Sequence, residues 1–365
     1  MTIPRFRPAL AALALLAAVV LPAPPASAAG ASYVALGDSY SSGTGARAYL
    51  ADGTACQRSV YAYPSLIASA RGYALNLRAC SGATISDVAA TQLGALTPTT
   101  AYVSLSVGGN DAAFVSVLTE CAKPAWMSNC TAAVDRAQAI ITDQLPGRLA
   151  SLYGQIRARA PRAAVTIAGY PRIFNGEDCN AATWFSPAEE SRLNAMADLL
   201  NRTTAAAAAT AGFALRDPAP AFTGHAVCDD VEWLNGLSSP ISDSYHPNRT
   251  GHASGYAPLM GAALTGASVA VTRETLQSAE AAAPALTEQQ AAYSATDRRI
   301  RPEEFVLPDL KSRSARAAAA RAGVDLADPA SIARADRAAE AAQAAQAAQA
   351  AQAAQAAQAA QARER

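Results

Sequence analysis

Between residues 31 and 266, short apolar runs alternate with helix-like patterns, and this alternation constrains the fold more than any other feature of the chain. The runs are of strand length, and several end in glycine or another turn residue. A chain in which strands and helices alternate forms a mostly parallel sheet with helices on both faces. We therefore expect an α/β domain whose strands are residues 33–36, 74–77, 101–107, 164–168 and 213–215.

Two helix signals lie between these predicted strands. Ser186 can cap a helix that begins at Pro187, and Glu189 stands three residues after the cap, which is the spacing of a capping box. Residues 132–159 are also helical in composition, but Pro146 should divide them into two helices. Both segments supply the helices that a parallel sheet needs between its strands.

Residues 1–28 have the pattern of a secretory signal. Two arginines precede an apolar stretch at residues 9–21, and the segment ends in a small-x-small cleavage pattern. A membrane anchor is the alternative, but this stretch is shorter than the roughly 20 residues that cross a bilayer. No later stretch is long and apolar enough to span. We therefore expect a secreted, extracellular protein with a mature chain that begins near residue 29.

The six cysteines also favour export, because an even number in an exported chain usually forms disulfides. Six cysteines allow several connectivities that the sequence alone does not distinguish, and sequential pairing is the simplest. Sequential pairing would join Cys56 to Cys80, Cys121 to Cys130 and Cys179 to Cys228.

Charge and motif content argue against two other classes of function. The net charge is zero and no block of lysine or arginine occurs, whereas nucleic-acid binding needs a concentrated basic face. The chain contains no Cys-x-x-Cys and no His-Glu-x-x-His motif, so a metal site has little support. We expect no nucleic-acid partner, no metal and no cofactor.

The first predicted strand runs directly into Gly-Asp-Ser at residues 37–39. Active-site groups of parallel α/β folds collect at the carboxyl ends of the strands, which makes Ser39 a candidate nucleophile. The alternative is a structural turn, because aspartate and serine cap helices and glycine permits tight turns. This motif alone does not decide between a nucleophile and a turn.

A second strand end carries Gly-Gly-Asn-Asp at residues 108–111. The two glycines let the backbone approach a ligand, and the Asn110 amide can donate a hydrogen bond to an oxyanion. Alone, this segment could equally be a turn with asparagine as a cap.

The third segment, at residues 243–246, contains Asp243 and His246. Histidine is the usual general base for a serine, and a carboxylate three residues earlier can hold its other ring nitrogen. The chain has two further histidines, His225 and His252, but neither has an aspartate at that spacing. His246 is therefore the candidate base, and the other two are expected to cap or pack.

Taken in order, these three segments resemble the sequence blocks of the SGNH, or GDSL-type, hydrolase family, and Gly82 resembles the glycine of the family's second block. The resemblance covers about residues 32–255. It implies a three-layer α/β/α sandwich of the flavodoxin-like type, with a mostly parallel sheet. The paired cysteines and the long segment 170–237 are most similar to secreted actinobacterial lipases and esterases of this family.

The resemblance also implies roles for individual residues. Ser39 would be the nucleophile, His246 the general base and Asp243 the residue that orients the histidine. In some relatives a backbone carbonyl takes the place of the acid. The oxyanion hole would consist of the backbone N–H groups of Ser39 and Gly82 and the side-chain amide of Asn110.

We therefore predict a secreted, cofactor-independent serine ester hydrolase, a lipase or esterase that forms an acyl-enzyme and acts as a monomer on a small-molecule or lipid ester. One alternative is a polysaccharide acetyl esterase on the same fold; another is a non-catalytic cell-surface binding protein. Aromatic side chains between the motifs could line the acyl pocket or pack beneath loops: Trp126, Trp184, Phe185, Phe222 and Trp233.

After residue 266, which ends the predicted hydrolase domain of residues 29–266, alanine dominates the composition. Residues 267–340 also carry many charges and several prolines, and we expect a linker with short helices. Residues 341–365 repeat Ala-Ala-Gln, and a period of three drifts by about 60° per repeat around a helix. Without a fixed apolar face a coiled coil is disfavoured, so this tail, whose partner is unknown, should be a solvated, fraying helix or disordered.

Overall fold

The computed structural model describes residues 30–363 and is built around a sheet of five parallel strands in the order β2-β1-β3-β4-β5. Each predicted strand is present to within two residues at either end, which confirms the mostly parallel sheet. The predicted signal at residues 1–28 lies outside the described residues. The strands are β1 Ser32–Gly37, β2 Ala74–Leu77, β3 Tyr102–Ser106, β4 Ala164–Ala168 and β5 Ala214–Arg216.

The central strands carry the core. In the register of β1 with β3, Val34 pairs with Val103 and the next residue, Ala35, pairs with Ser104, and all four residues are buried. Consecutive residues of a strand point to opposite faces, so a strand buried along its whole length must be covered on both sides. The sheet is therefore the middle layer of the domain.

Helices connect the strands and continue beyond the sheet. We number them in chain order: α1 Ser39–Ser42, α2 Tyr63–Arg71, α3 Ile85–Asp87, α4 Phe114–Cys121, α5 Cys130–Asp143, α6 Leu145–Arg159, α7 Pro187–Thr210, α8 Ala257–Thr265, α9 Arg273–Ala281, α10 Ala283–Ala291, α11 Ser294–Asp297, α12 Arg313–Ala322 and α13 Pro329–Arg363.

Two groups of helices form the outer layers of a three-layer α/β/α sandwich. α2 packs against α8, which also contacts β3, β4 and β5, while α5, α6 and α7 pack on one another. The predicted capping box of α7 is present between Ser186 and Glu189. The predicted division of residues 132–159 falls at Gln144, and Pro146 occupies the first turn of α6, where its missing N–H costs nothing.

The strand order fixes where a ligand can bind. The chain places β2 on one side of β1 and β3 on the other, so the connections after β1 and β3 leave in opposite directions. In open parallel sheets, the crevice at the carboxyl ends of two such strands is the usual binding site. Residues 37–39 follow β1 and residues 108–111 follow β3, so both motifs lie at this crevice.

The six cysteines are joined in sequential order, and each disulfide fastens a connection of the α/β domain, residues 30–266. Cys121–Cys130 links the end of α4 to the start of α5. Cys56–Cys80 ties the segment before α2 to the segment after β2, and Cys179–Cys228 ties the segment between β4 and α7 to the segment after β5.

Residues 267–363, here called the extension, contain the expected short helices, but these pack on the α/β domain and do not form a free linker. α9 lies against α2, and α10 lies against the edge strand β2. Two fully buried arginines of the domain, Arg58 and Arg78, both donate to Asp297 of α11, at 2.5 and 2.8 Å. A buried guanidinium needs a carboxylate partner, which the extension supplies to both.

The Ala-Ala-Gln repeat is the continuation of α13. This helix begins at Pro329 and ends at Arg363. Near its start, the Asp336 carboxylate accepts a hydrogen bond from the N–H of Ala125, at 2.6 Å, which attaches α13 to the domain. Among the described helices, none has the length and apolar character of a membrane span.

Candidate active site

Ser39 lies in a tight turn between β1 and α1. Gly37 ends the strand with φ 121°, and a Cβ at this position would lie 2.3 Å from the carbonyl oxygen of Ser106 on β3, so only glycine fits. Asp38 caps α1 by accepting a hydrogen bond from the N–H of Tyr40 at 3.1 Å. Ser39 is thus held as the first residue of a short helix, with 7% of its surface exposed.

Asp38 is buried, and its hydrogen bonds fix the turn. The hydroxyls of Ser106 and Tyr170 donate to it, the former at 2.6 Å. Burial raises the pKa of Asp38 to about 6, although these hydrogen bonds oppose the rise. The aspartate of the Gly-Asp-Ser motif therefore holds Ser39 in position, because its carboxylate oxygens accept hydrogen bonds from Tyr40, Ser106 and Tyr170.

The His246 ring is oriented by a backbone carbonyl. Nδ1 lies 2.9 Å from the carbonyl oxygen of Ser244, and because a carbonyl only accepts, Nδ1 carries the proton. In the neutral ring Nε2 is then the basic nitrogen. Burial lowers the pKa of His246 to about 4, so the ring is neutral at physiological pH.

Asp243 does not hold the imidazole, which corrects the expectation that it orients His246. Its carboxylate accepts from the Tyr49 hydroxyl at 2.6 Å and from Arg47 Nε at 3.2 Å. Ile241–Asp243 forms a 3-10 helical turn, and in this turn the side chain is directed to the loop at residues 47–49. The charge of Asp243 still opposes the fall in the pKa of His246, as does the hydrogen bond to the Ser244 carbonyl.

The candidate oxyanion donors lie beside Ser39. Gly82 has φ 81°, a left-handed conformation suited to glycine, and Asn110 Nδ2 donates to the carbonyl oxygen of Ala83 at 3.0 Å. A primary amide has two N–H groups, so one remains for a ligand. Ser39, Gly82, Asn110 and His246 border one small cavity, and the structure thus brings together all four residues of the expected site other than Asp243.

An apolar cleft continues from this cavity. Its walls include Leu118 of α4, Leu200 of α7 and Ile173, together with Tyr170 and Tyr245. The five aromatic residues that could either line the acyl pocket or pack beneath loops are absent from these walls. Trp126 and Trp184 pack under α12 and α13, Phe185 packs on Tyr245, and Phe222 packs on Trp233.

Some residues of the cleft were missed by reasoning from the sequence. Tyr170 follows β4 by two residues, so its position at a strand end could have revealed it. Phe305 and the two glutamates before it also border the cleft, although they belong to the extension. No local pattern marks these three residues.

The other two histidines occupy structural positions. His225 stacks on Trp233 with ring centroids 3.8 Å apart. His252 is fully buried and accepts a hydrogen bond from the N–H of Tyr63, at 3.3 Å, and burial lowers its pKa to about 3. Neither borders the cleft described above.

One group of residues within the described part of the chain has the spacing of a metal site: Cys179, Cys228 and Glu232. The two sulfur atoms are bonded to each other in a disulfide and cannot act as thiolate ligands. This group is therefore a disulfide with a neighbouring carboxylate.

Comparison with known proteins gives a consistent result. The model of the GDSL-like lipase/acylhydrolase family matches residues 35–254. A lipase of Streptomyces rimosus is 42% identical over 258 residues, which are 70% of this chain and 94% of the relative. Lipase 1 of Streptomyces coelicolor (strain ATCC BAA-471 / A3(2) / M145) is 40% identical over 250 residues, 68% of this chain and 91% of the relative.

Solved structures agree in fold. The crystal structure of phospholipase A1 from Streptomyces albidoflavus NA297 has 44% sequence identity and a TM-score of 0.61, and the match covers 64% of this chain and 99% of that one. The extracellular lipase of Streptomyces rimosus has 39% identity and a TM-score of 0.61, with 64% and 100% covered. The motifs, the strand order and these matches lead to one conclusion: the chain belongs to the GDSL-like lipase/acylhydrolase family.

Proposed function

We propose that the chain hydrolyses carboxylic esters of acyl lipids through an acyl-enzyme, with Ser39 as nucleophile and His246 as general base. Ester hydrolysis as the reaction class follows from family membership. The observation that carries the residue assignment is the single cavity bordered by Ser39, His246 and the candidate oxyanion donors Gly82 and Asn110. The Ser244 carbonyl supports it by fixing the tautomer in which Nε2 can accept a proton.

The reaction follows from these positions. Nε2 of His246 accepts the proton of the Ser39 hydroxyl while Oγ forms a bond to the ester carbon. The carbonyl oxygen becomes an oxyanion, which accepts hydrogen bonds from the N–H groups of Ser39 and Gly82 and from the Asn110 amide. The imidazolium then gives its proton to the departing alcohol. Water repeats the sequence on the acyl-enzyme and releases the acid.

The walls of the cleft favour an acyl chain over an acetyl group on a sugar. Leu118, Ile173, Leu200 and Ile241 present aliphatic surface next to Ser39. Such walls lower the free energy of a buried alkyl chain by about 0.8 kcal/mol per methylene, whereas a sugar would lose hydrogen bonds to water there. The relatives named as lipases and as phospholipase A1 support the same class of substrate.

Export of the protein is the second part of the proposal. The pattern of residues 1–28 predicts a secretory signal, and three disulfides are suited to an oxidising compartment. A relative described as an extracellular lipase supports export. Sequencing the amino terminus of protein recovered from the culture medium tests it; an uncleaved chain retained in the cytoplasm would contradict it.

A substrate panel with a matched variant tests the chemistry. Short-chain, long-chain and phospholipid esters should be hydrolysed, with acetylated xylan the poorest substrate. Ser39→Ala should abolish turnover and labelling by a fluorophosphonate while leaving the melting temperature within a few degrees. Turnover that survives Ser39→Ala would refute the nucleophile. A preference for acetylated xylan would refute the substrate class but not the mechanism.

A further inference from the structure

After α11 the chain crosses the crevice that contains Ser39 and His246. We call residues 301–306 the strap. We propose that the strap is an intramolecular inhibitor that occupies the acyl-binding cleft, so that the full chain hydrolyses esters slowly until the strap is displaced. This inference rests on the proposed function of the cleft.

The strap begins against the candidate oxyanion hole. A Cβ built on Gly82 would lie 2.5 Å from Cα and 2.8 Å from the nitrogen of Pro302, so the two backbones are in direct contact. Glu303 and Glu304 follow and border the same small cavity as Ser39 and His246. An ester carbonyl must enter this space to reach the nucleophile. The strap therefore lies on the path of the reacting group.

Phe305 then enters the apolar cleft. Its side chain is only 5% exposed, although Glu304 and Val306 on either side of it are exposed. Its ring lies 5.0 Å from that of Tyr245, centroid to centroid, in an edge-to-face arrangement. One apolar side chain of the strap thus fills the place where an acyl chain would bind.

The space that remains beside Ser39 is small. With the strap in place, the cleft beside Ser39 encloses about 50 Å³, which is room for a few water molecules only. Ser39 itself is 7% exposed. An acyl ester can bind here only after Phe305 has left.

Both ends of the strap are held. Ser116 of α4 donates to the Glu303 carboxylate at 3.0 Å, and Thr119 of the same helix accepts from the N–H of Val306 at 3.2 Å. Just before the strap, Asp297 is bound to two buried arginines of the domain. Such a tether gives the strap an effective concentration in the millimolar range, so even a weak contact keeps it bound.

The family fold does not require the strap. The match to the family model ends at residue 254. The match to the lipase of Streptomyces rimosus includes 94% of that lipase but only 70% of this chain. The strap therefore belongs to a part of the chain outside the shared domain. An element outside the shared domain that fills the cleft is better explained by control of the site than by construction of it.

The test uses the full chain with residues 302–306 replaced by Gly-Ser-Gly-Ser-Gly, which we call the Gly-Ser variant. This change removes Phe305 and both glutamates but keeps Asp297 and the chain connectivity. We expect kcat/KM for a medium-chain nitrophenyl ester to rise at least about tenfold. At an effective concentration of about 1 mM, a strap that binds with a Kd of about 0.1 mM occupies the cleft in about ten molecules for each one in which the cleft is free. Phe305→Ala should give a smaller rise, and Leu307→Ser, just outside the strap, should give none.

A synthetic peptide of residues 301–307 should inhibit the Gly-Ser variant competitively, raising KM and leaving kcat unchanged. It should also bind a Gly-Ser variant that carries Ser39→Ala, which measures occupancy without any turnover. The inference is overturned if the Gly-Ser variant is no faster than the full chain, or if the peptide does not bind. Loss of turnover and of fluorophosphonate labelling in every variant, with peptide binding intact, would instead refute the proposed function.

Discussion

Residues of two regions meet at the cleft, and they reach it in different ways. In the α/β domain, Ser39 and Asn110 each follow a strand of the sheet by a few residues, so the position of the strand determines that of the side chain. In the extension, Phe305 reaches the cleft through contacts that join residues hundreds of positions apart, such as Arg78 with Asp297. Ser39 and Asn110 belong to recognisable sequence motifs, whereas no motif marks Phe305.

A sequence pattern predicts the position of a residue when the topology of the fold determines that position. A parallel sheet collects the ends of its strands at one edge, and this rule applies to every chain with that topology. The extension obeys no such rule, because its place depends on contacts between residues far apart in the chain: α9 packs on α2, α10 packs on β2, and Asp297 binds two buried arginines.

His246→Ala, in the domain, should lower kcat by about 10⁴-fold or more, because in the proposed mechanism the serine then loses the group that accepts its proton. His225→Ala is the matched control, since that ring stacks on Trp233 away from the cleft, and it should leave kcat unchanged. Steady-state hydrolysis by the Gly-Ser variant gives the clearest measurement. Equal effects of the two substitutions would rule out His246 as the base.

Asp297→Ala, in the extension, should lower the free energy of unfolding by about 3–5 kcal/mol, because two buried guanidinium groups then lose a carboxylate. Asp309→Asn, at an exposed position of the same region, should change it by less than about 0.5 kcal/mol. Denaturant unfolding measures both. A small effect of Asp297→Ala would show that the extension is only loosely attached.

The pH dependence of hydrolysis should depend on both regions, because the strap of the extension borders the same cavity as His246 of the domain. In the proposed mechanism the neutral imidazole of His246 is the active form, so kcat/KM should rise with pH and level off above the pKa of His246 in the free enzyme. Burial lowers this pKa to about 4 in the full chain, which places the acid limb near pH 4. In the Gly-Ser variant water reaches the cleft, and the limb should move upward toward the ordinary value of 6.5. Identical limbs in the two proteins would show that the strap does not desolvate the ring.

Asp243→Asn should have the smallest effect on catalysis, less than about tenfold in kcat, because the Ser244 carbonyl still holds Nδ1. Where an aspartate itself orients the histidine, the same change costs about 10⁴-fold. The variant should lose stability by about 1–3 kcal/mol, since Tyr49 and Arg47 lose a charged partner. A loss of kcat near 10⁴-fold with an unchanged melting temperature would restore Asp243 to the role first expected of it.

Much of the fold was predictable because its signals are local. The apolar runs gave all five strands, and Ser186 with Glu189 gave the start of α7. The meeting of Ser39, Asn110 and His246 also followed, because strand ends and a histidine with a nearby carboxylate are visible in the sequence. Each of these signals spans only a few residues.

The rest was not predictable, for a physical reason in each case. The spacing of Asp243 and His246 permits a hydrogen bond, but the 3-10 turn directs the Asp243 carboxylate to Tyr49 instead. The group that orients His246 is the backbone carbonyl of Ser244, and because every residue has such a carbonyl, the sequence does not identify it. The packing of the extension depends on Asp297 finding Arg58 and Arg78 in three dimensions. Composition alone described this region as a linker.

The shared carboxylate of Asp297 also has a consequence for biosynthesis. Arg58 and Arg78 together with Asp52 and Asp297 form a buried set of two positive and two negative charges, and the last member is synthesised more than two hundred residues after the first arginine. Until residue 297 has been made, the domain must bury an uncompensated positive charge or leave its edge open. We therefore expect that the point where the composition changes is not a boundary of folding: the domain and α11 should unfold in one cooperative transition, and an emerging chain should complete its charged core only after residue 297 has been made.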